Sequence, residues 1–188
     1  MRLAVRACEL DVALPLQRVP TLAEVEAERD ACAERLAEAR ARGAGGAERN
    51  VIRYDLVWAE AVAAQLRAGT VAPEVHAPVH ALRIGDGAIV TGPGEVFAEI
   101  GLAVRQRSPA AVTAYAGYTN GLVSYLPSAA AFPAGGYEPD HGNRSFGLAA
   151  PVSPACDRIL VRAGLDALGR LWPEWPGAAE DDDLLARR

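Results

Sequence analysis

The order of hydrophobic and polar positions divides the chain into segments of different period. Residues 1–16 alternate Leu, Val and Ala loosely with polar residues, the mark of a short extended segment. The period then lengthens. In "VPTLAEVEAERDACAERLAEARARG", Leu22, Val25, Cys32 and Leu36 share one narrow helical stripe, and the charged remainder predicts a peripheral helix. Thr21 with Glu24 three residues later is a capping box, and Gly43 can end the helix. "GAGG" at 43–46 predicts a flexible break. Ile52, Leu56, Ala59, Val62, Ala63 and Leu66 then recur at steps of three and four, a second helix with Trp58 beside its stripe and Gly69 as its stop.

At "VHAPVHALRIGDGAIVTG" the period shortens. Leu82 and Ile84 alternate, "GDG" turns, and Ala88–Val90 is a short buried run, so the pattern reads strand, turn, strand. A third helix is expected from Glu95 to Arg107, with Phe97, Ile100 and Val104 inward, and "AAVTAYAGY" is the next strand. Residues 119–154 are interrupted by Gly, Pro, Asn and Ser, with Tyr115, Tyr118, Tyr125 and Tyr137 leading into or lying within them. A loop of that length in a compact domain is usually functional or a packing arm. Ile159, Leu160, Leu165 and Leu168 mark a last helix over about 154–171. The expected fold is α/β, a small mixed sheet flanked by helices. Three or four strands make a thin sheet, as if part of a larger layered α/β domain. Residues 1–175 are expected to form a single α/β domain, with a polar tail over 176–188.

Composition narrows the picture. The chain has 188 residues, half of them hydrophobic, and its mean hydropathy is +0.05, a globular composition. No apolar run is long enough to cross a bilayer. "MRLAVRACELDVALPLQ" scatters charges where a signal peptide needs a continuous apolar core, so the default expectation is a cytoplasmic protein. A net charge of −5 argues against a nucleic-acid partner. All basic residues are Arg, which with the abundant Ala reads as compositional bias. Cys8, Cys32 and Cys156 form no CxxC pair and no zinc spacing. Cys32 and Cys156 sit in helical patterns as buried thiols.

The histidines tempt a metal reading. Pro78 between His76 and His80 disfavours a helix through both. On a strand the two share a face roughly 13 Å apart, too far for one zinc. They read as surface or strand-packing residues. His141, near Glu138 and Asp140 in "EPDHGNRSFG", could act as acid or base, bind a metal, or be a solvated loop residue. No GxSxG elbow and no phosphate loop is present. Glu95, after the turn in "TGPGEVFAEIG", is either a helix cap or a hard oxygen ligand. Tyr125 in "GYTNGLVSYLPS" is a packing residue or a phenol beside a charge.

Taken together, "RIGDGAIVTGPGEVFAEIGLAVRQRSP", "AGYTNGLVSYLPS" and "GGYE" resemble the neutral, non-lysosomal ceramidases and their bacterial relatives, over about residues 80–140. The resemblance implies a zinc amidohydrolase, in which the metal polarises the amide carbonyl and lowers the pKa of bound water. It implies that Glu95 and Tyr125 are metal ligands and that Asn120, Tyr137 and Glu138 line or brace the site. The substrate class is an N-acyl sphingoid or related lipid amide. The family's two zinc-binding histidines and its serine belong to an N-terminal half that these residues do not match. The chain therefore resembles the C-terminal part of the catalytic domain, expected to be inactive and to hold zinc weakly alone, and to need an N-terminal half either supplied by another chain or lost from the gene. The rival readings are a non-catalytic binding or structural module, such as an oligomer covering its sheet edge, and an unrelated small α/β domain.

Overall fold

The computed structural model describes residues 4–175; the expected polar tail over 176–188 lies outside the described residues. The alternating start folds as strand β1, Val5–Pro15, and the longer periods as helices α1, Leu22–Ala41, and α2, Gly46–Ala68. The capping box forms. The Thr21 hydroxyl accepts from the Glu24 amide, and the Glu24 carboxylate accepts from the Thr21 amide at 2.7 Å. Arg18 grips the same carboxylate at 2.9 and 3.0 Å. The bond to Arg18, followed by those to Thr21, lowers the Glu24 carboxyl to about 2.

The break at 43–46 is tighter than its glycines imply. Gly43 takes φ 70° and the Ala44 amide reaches back to the Ala39 carbonyl, closing α1. Gly45 is the extended N-cap of α2, so Gly46 is already helical. Gly69, at φ 66°, ends α2 as expected.

Strands β2, Glu74–Ile84, and β3, Gly87–Thr91, form an antiparallel hairpin. Its two-residue turn puts Gly85 at φ 61°, where a Cβ would be strained. β1 pairs antiparallel with β2 along its whole length. After a two-residue strand β4, Glu95–Val96, and helix α3, Ala98–Arg107, strand β5, Val112–Ala116, returns parallel to β3. The sheet is mixed, four-stranded and ordered β1-β2-β3-β5.

Helix α5, Cys156–Leu171, lies with α3 over one sheet face. The large buried side chains of that layer are Leu14, Ile100, Val104, Leu126, Leu160 and Leu168. The hairpin contributes small residues to it: Ala77, Val79, Ala81, Ala88 and Val90. Leu82 and Ile84 lie on the opposite face, and Ile84 is 41% exposed. Small side chains inside let α5 settle close; a Cβ on Gly164 would lie 3.1 Å from Val104 and 3.2 Å from Val90. α1 and α2 form a separate hairpin with its own small core, Val25, Trp58, Ala59, Val62, Ala63 and Ala149.

The expected long loop is a chain of short elements. Strand β6, Tyr125–Leu126, is followed by a 3-10 turn over Ala129–Ala134, a one-turn helix α4, Tyr137–Asp140, and a second 3-10 turn over Gly142–Phe146. Distant partners hold it. The Ala129 amide donates to Asp157, the Trp58 indole N–H donates to the Leu148 carbonyl, and Val152 bridges to Leu16. No helix among the described residues is long and apolar enough to cross a membrane.

Candidate functional site

The site is built where the Gly-Pro-Gly turn meets β6. A Cβ on Gly94 would lie 2.5 Å from a Leu126 methyl and 2.7 Å from the Ser124 carbonyl, so only glycine lets the strand come this close. β4 then pairs parallel with β6, setting Glu95 opposite Tyr125 and Val96 opposite Leu126. The Glu95 amide donates to Ser124 at 3.0 Å and the Phe97 amide to Leu126 at 3.1 Å. Those strand bonds correct the expected helix start. The helix begins at Ala98, with Phe97 as its half-buried cap residue, and Glu95 lies outside it. Glu95 is therefore not a helix cap.

The Tyr118 hydroxyl donates to Glu95 Oε2 at 2.6 Å, a short charge-assisted bond. That bond, foremost, holds the Tyr118 phenol above its ordinary range. The Tyr125 phenol is also raised, first by burial and then by the charge of Glu95. Its ring is packed edge-on by Tyr137 at 5.6 Å and Phe146 at 5.7 Å. Gly142 lies against it so closely that a Cβ there would fall 2.5 Å from the ring. The Tyr137 hydroxyl shares a hydrogen bond with Ser145 Oγ at 2.9 Å, and the Glu138 charge also reaches Tyr125.

The structure thus brings together Glu95, Tyr125, Tyr137 and Glu138. Asn120 turns instead toward His80, with its side-chain nitrogen 3.1 Å from Nδ1. Tyr118, given no role from the sequence, is the direct partner of Glu95. Its signal was its place in the Tyr-x-Asn-Gly segment, but nothing local aims its hydroxyl at residue 95.

His76 and His80 lie on the sheet face away from α5. His76 Nδ1 is 2.7 Å from Asp11 and His80 Nε2 is 3.0 Å from Glu9, strand-packing contacts of the kind expected. His141 is exposed, in a cleft of about 370 Å³ with Tyr54, Asp55, Tyr137, Arg144 and Ser145. Cys32 and Cys156 are buried, and burial pushes the Cys156 thiol up to about 12.

One carboxylate and one phenol do not make a zinc site, which takes three or four protein ligands, commonly imidazole or thiolate. A phenol ligates best as the phenolate, and both burial and Glu95 disfavour that form at Tyr125. The imidazoles of β2 are engaged with carboxylates on the outer sheet face. Among the described residues no group of three His, Cys, Asp or Glu is placed to hold a metal.

The molecule is thus a mixed α/β protein with a carboxylate–phenol cluster at a strand junction. No protein-family model matches the chain, and no curated protein matches it. A solved structure described as "Ceramidase complexed with C2" is similar over 57% of this chain, at 18% identity and a TM-score of 0.43. The match spans 16% of that protein's length. A likeness of that size does not fix function.

Proposed function

We propose that this chain supplies the carboxylate–phenol part of a ceramidase-like amide hydrolase site, completed by imidazoles from outside these 188 residues. The observation that supports this reading is the opposition of Glu95 and Tyr125 across β4 and β6, two residues drawn from separate sequence blocks of the resemblance. In it, Glu95 presents a carboxylate oriented by the Tyr118 hydroxyl. Tyr125 is held rigid between Tyr137, Phe146 and Gly142. Tyr137 and Glu138 flank the place where an N-acyl sphingoid or related amide would lie. By itself the chain is inactive and binds zinc weakly.

The test has two stages. The purified chain is assayed for release of sphingoid amine from a short-chain N-acyl sphingosine, with and without added zinc. No release and less than one zinc per chain are expected. Turnover, or tight stoichiometric zinc in the chain alone, overturns the incomplete-site reading. The chain is then mixed with the histidine-bearing N-terminal half of a neutral ceramidase. Activity should appear and should fall by about 10–100-fold in Glu95→Ala, as for loss of a group that binds or orients a catalytic metal. Unchanged activity in that variant removes Glu95 from the site.

A second reading is a non-catalytic binding or structural module. It is favoured by how fully these groups satisfy one another: Glu95 accepts the Tyr118 hydroxyl, and Tyr137 pairs with Ser145. On this reading the mixture stays inactive.

A further inference from the structure

Two described residues other than glycine have positive φ, Tyr118 at 56° and Asn120 at 57°. A bulky tyrosine seldom takes this backbone region, so something must hold it there. The segment around them is pinned from several sides. The Tyr118 amide donates to Gly94 at 3.0 Å and the Thr119 amide to Gly92 at 3.3 Å. Thr119 Oγ1 bonds the Gly92 and Ala116 carbonyls at 3.1 and 3.3 Å. Each strained residue also spends its side chain on one partner. Tyr118 reaches Glu95, and Asn120 reaches His80.

His80 suits that task. Its side chain is 20% exposed, while Glu9, which holds it, is largely in solvent. A carboxylate can only accept, so Nε2 donates to Glu9 at 3.0 Å, and the Asn120 side-chain nitrogen lies against the ring, 3.1 Å from Nδ1 and 3.5 Å from Nε2. The bonds run Glu9, His80, Asn120, from an edge strand through its neighbour to the loop.

We propose that His80 is a positioning residue: held by Glu9, it anchors Asn120 and so keeps residues 118–120 in the conformation that delivers the Tyr118 hydroxyl to Glu95. Its value to hydrolysis rests on the reading above, but the arrangement itself does not.

The experiment is solution NMR of the full, metal-free chain, following cross-peaks between the Tyr118 ring and the Glu95 side chain. They should be present in the native chain and lost in His80→Phe, which keeps a flat ring on the strand but has no nitrogen. Asn120→Gly is the sharper variant. Glycine takes positive φ without strain, so a purely structural role for Asn120 would leave the loop unchanged or firmer. The positioning role predicts loss of the cross-peaks in that folded variant as well. Full-strength cross-peaks in Asn120→Gly overturn the proposal. Failure of the hydrolase assay leaves this result untouched, because neither metal nor substrate enters it.

Discussion

The sheet with α5 and the α1–α2 hairpin are two solutions to the same problem of burying a helix. α5 sinks a broad apolar face, with Leu160, Val161, Leu165 and Leu168 all at 2% exposure or less. The hairpin buries a narrow stripe rich in alanine, and its outer surface is stitched by ion pairs such as Arg67 with Glu26 and Arg42 with Glu48. Exposed pairs of that kind contribute little. The hairpin is instead fastened to the rest of the molecule by a joint of mixed character. Arg144 stacks on Trp58 at 4.4 Å and bonds Asp55 and Glu28 at 2.8 and 3.2 Å, while the Trp58 indole reaches Leu148. The sheet layer has a counterpart where α5 ends, Arg83 stacking on Trp172 at 4.2 Å and donating to the Leu171 carbonyl at 2.7 Å, but there the joint is added to a broad apolar face, whereas the hairpin has only its narrow stripe.

The comparison can be broken first at the sheet. Leu160→Ala removes a fully buried side chain from the layer beneath α5, and should cost about 2–5 kcal/mol in denaturant unfolding. A loss near zero would mean that α5 does not depend on its apolar face. Gly142→Ala strikes between the two regions. The added methyl overlaps the Tyr125 ring, and overpacking of this kind should cost about 1–3 kcal/mol and shift Tyr125 ring resonances.

Arg144→Ala probes the joint. It removes the cation from Trp58 and leaves Asp55 and Glu28 without it, so about 1–3 kcal/mol of local stability should go. Hydrogen exchange should quicken in α1 and α2 while β2 and β3 keep their protection. Equal quickening everywhere would show one cooperative unit. Thr21→Ala should cost about 1 kcal/mol by unmaking the cap of α1, read by urea midpoint.

Alkali has the least effect near neutral pH. Burial raises the folded-state pKa of Cys156 from 9.0 and of Tyr115 from 10.0, each to about 12. Below the unfolded values both groups are neutral in both states, and stability is whole. As pH rises past those values the unfolded chain loses protons first, so stability falls through about pH 12. Cys156→Ala should flatten the early part of that decline; an unchanged slope would mean the thiol titrates normally.

Much of the fold was legible in the residues. The Thr21–Glu24 box, the Gly69 stop, the Gly85-Asp86 turn and the span of α5 are all short-range devices, set by sterics and hydrogen bonds between close neighbours in sequence. The face of β2 was read less well. Leu82 and Ile84 alternate as conspicuously as Ala77, Val79 and Ala81, and only the approach of α5 decides which set is inside. In the candidate site, Glu95 and Tyr125 were found from the blocks that carry them, and Tyr118 was not.

The sequence by itself determined α1, α2 and α5, the cap of α1, the hairpin and the glycines that allow tight turns, because each depends on residues a few positions apart. Tertiary structure decided what Glu95 became. Its amide and that of Phe97 are claimed by β6, about 30 residues further on, and those bonds hold 95–97 extended and delay the helix to Ala98. The same non-local pairing sets Tyr125 opposite it. The loop leading to β6 joins Tyr118 to Glu95 and Asn120 to His80, contacts across 23 and 40 residues. A local pattern records what a segment can form; which carboxylate meets which phenol depends on register across the sheet, where no short-range preference acts.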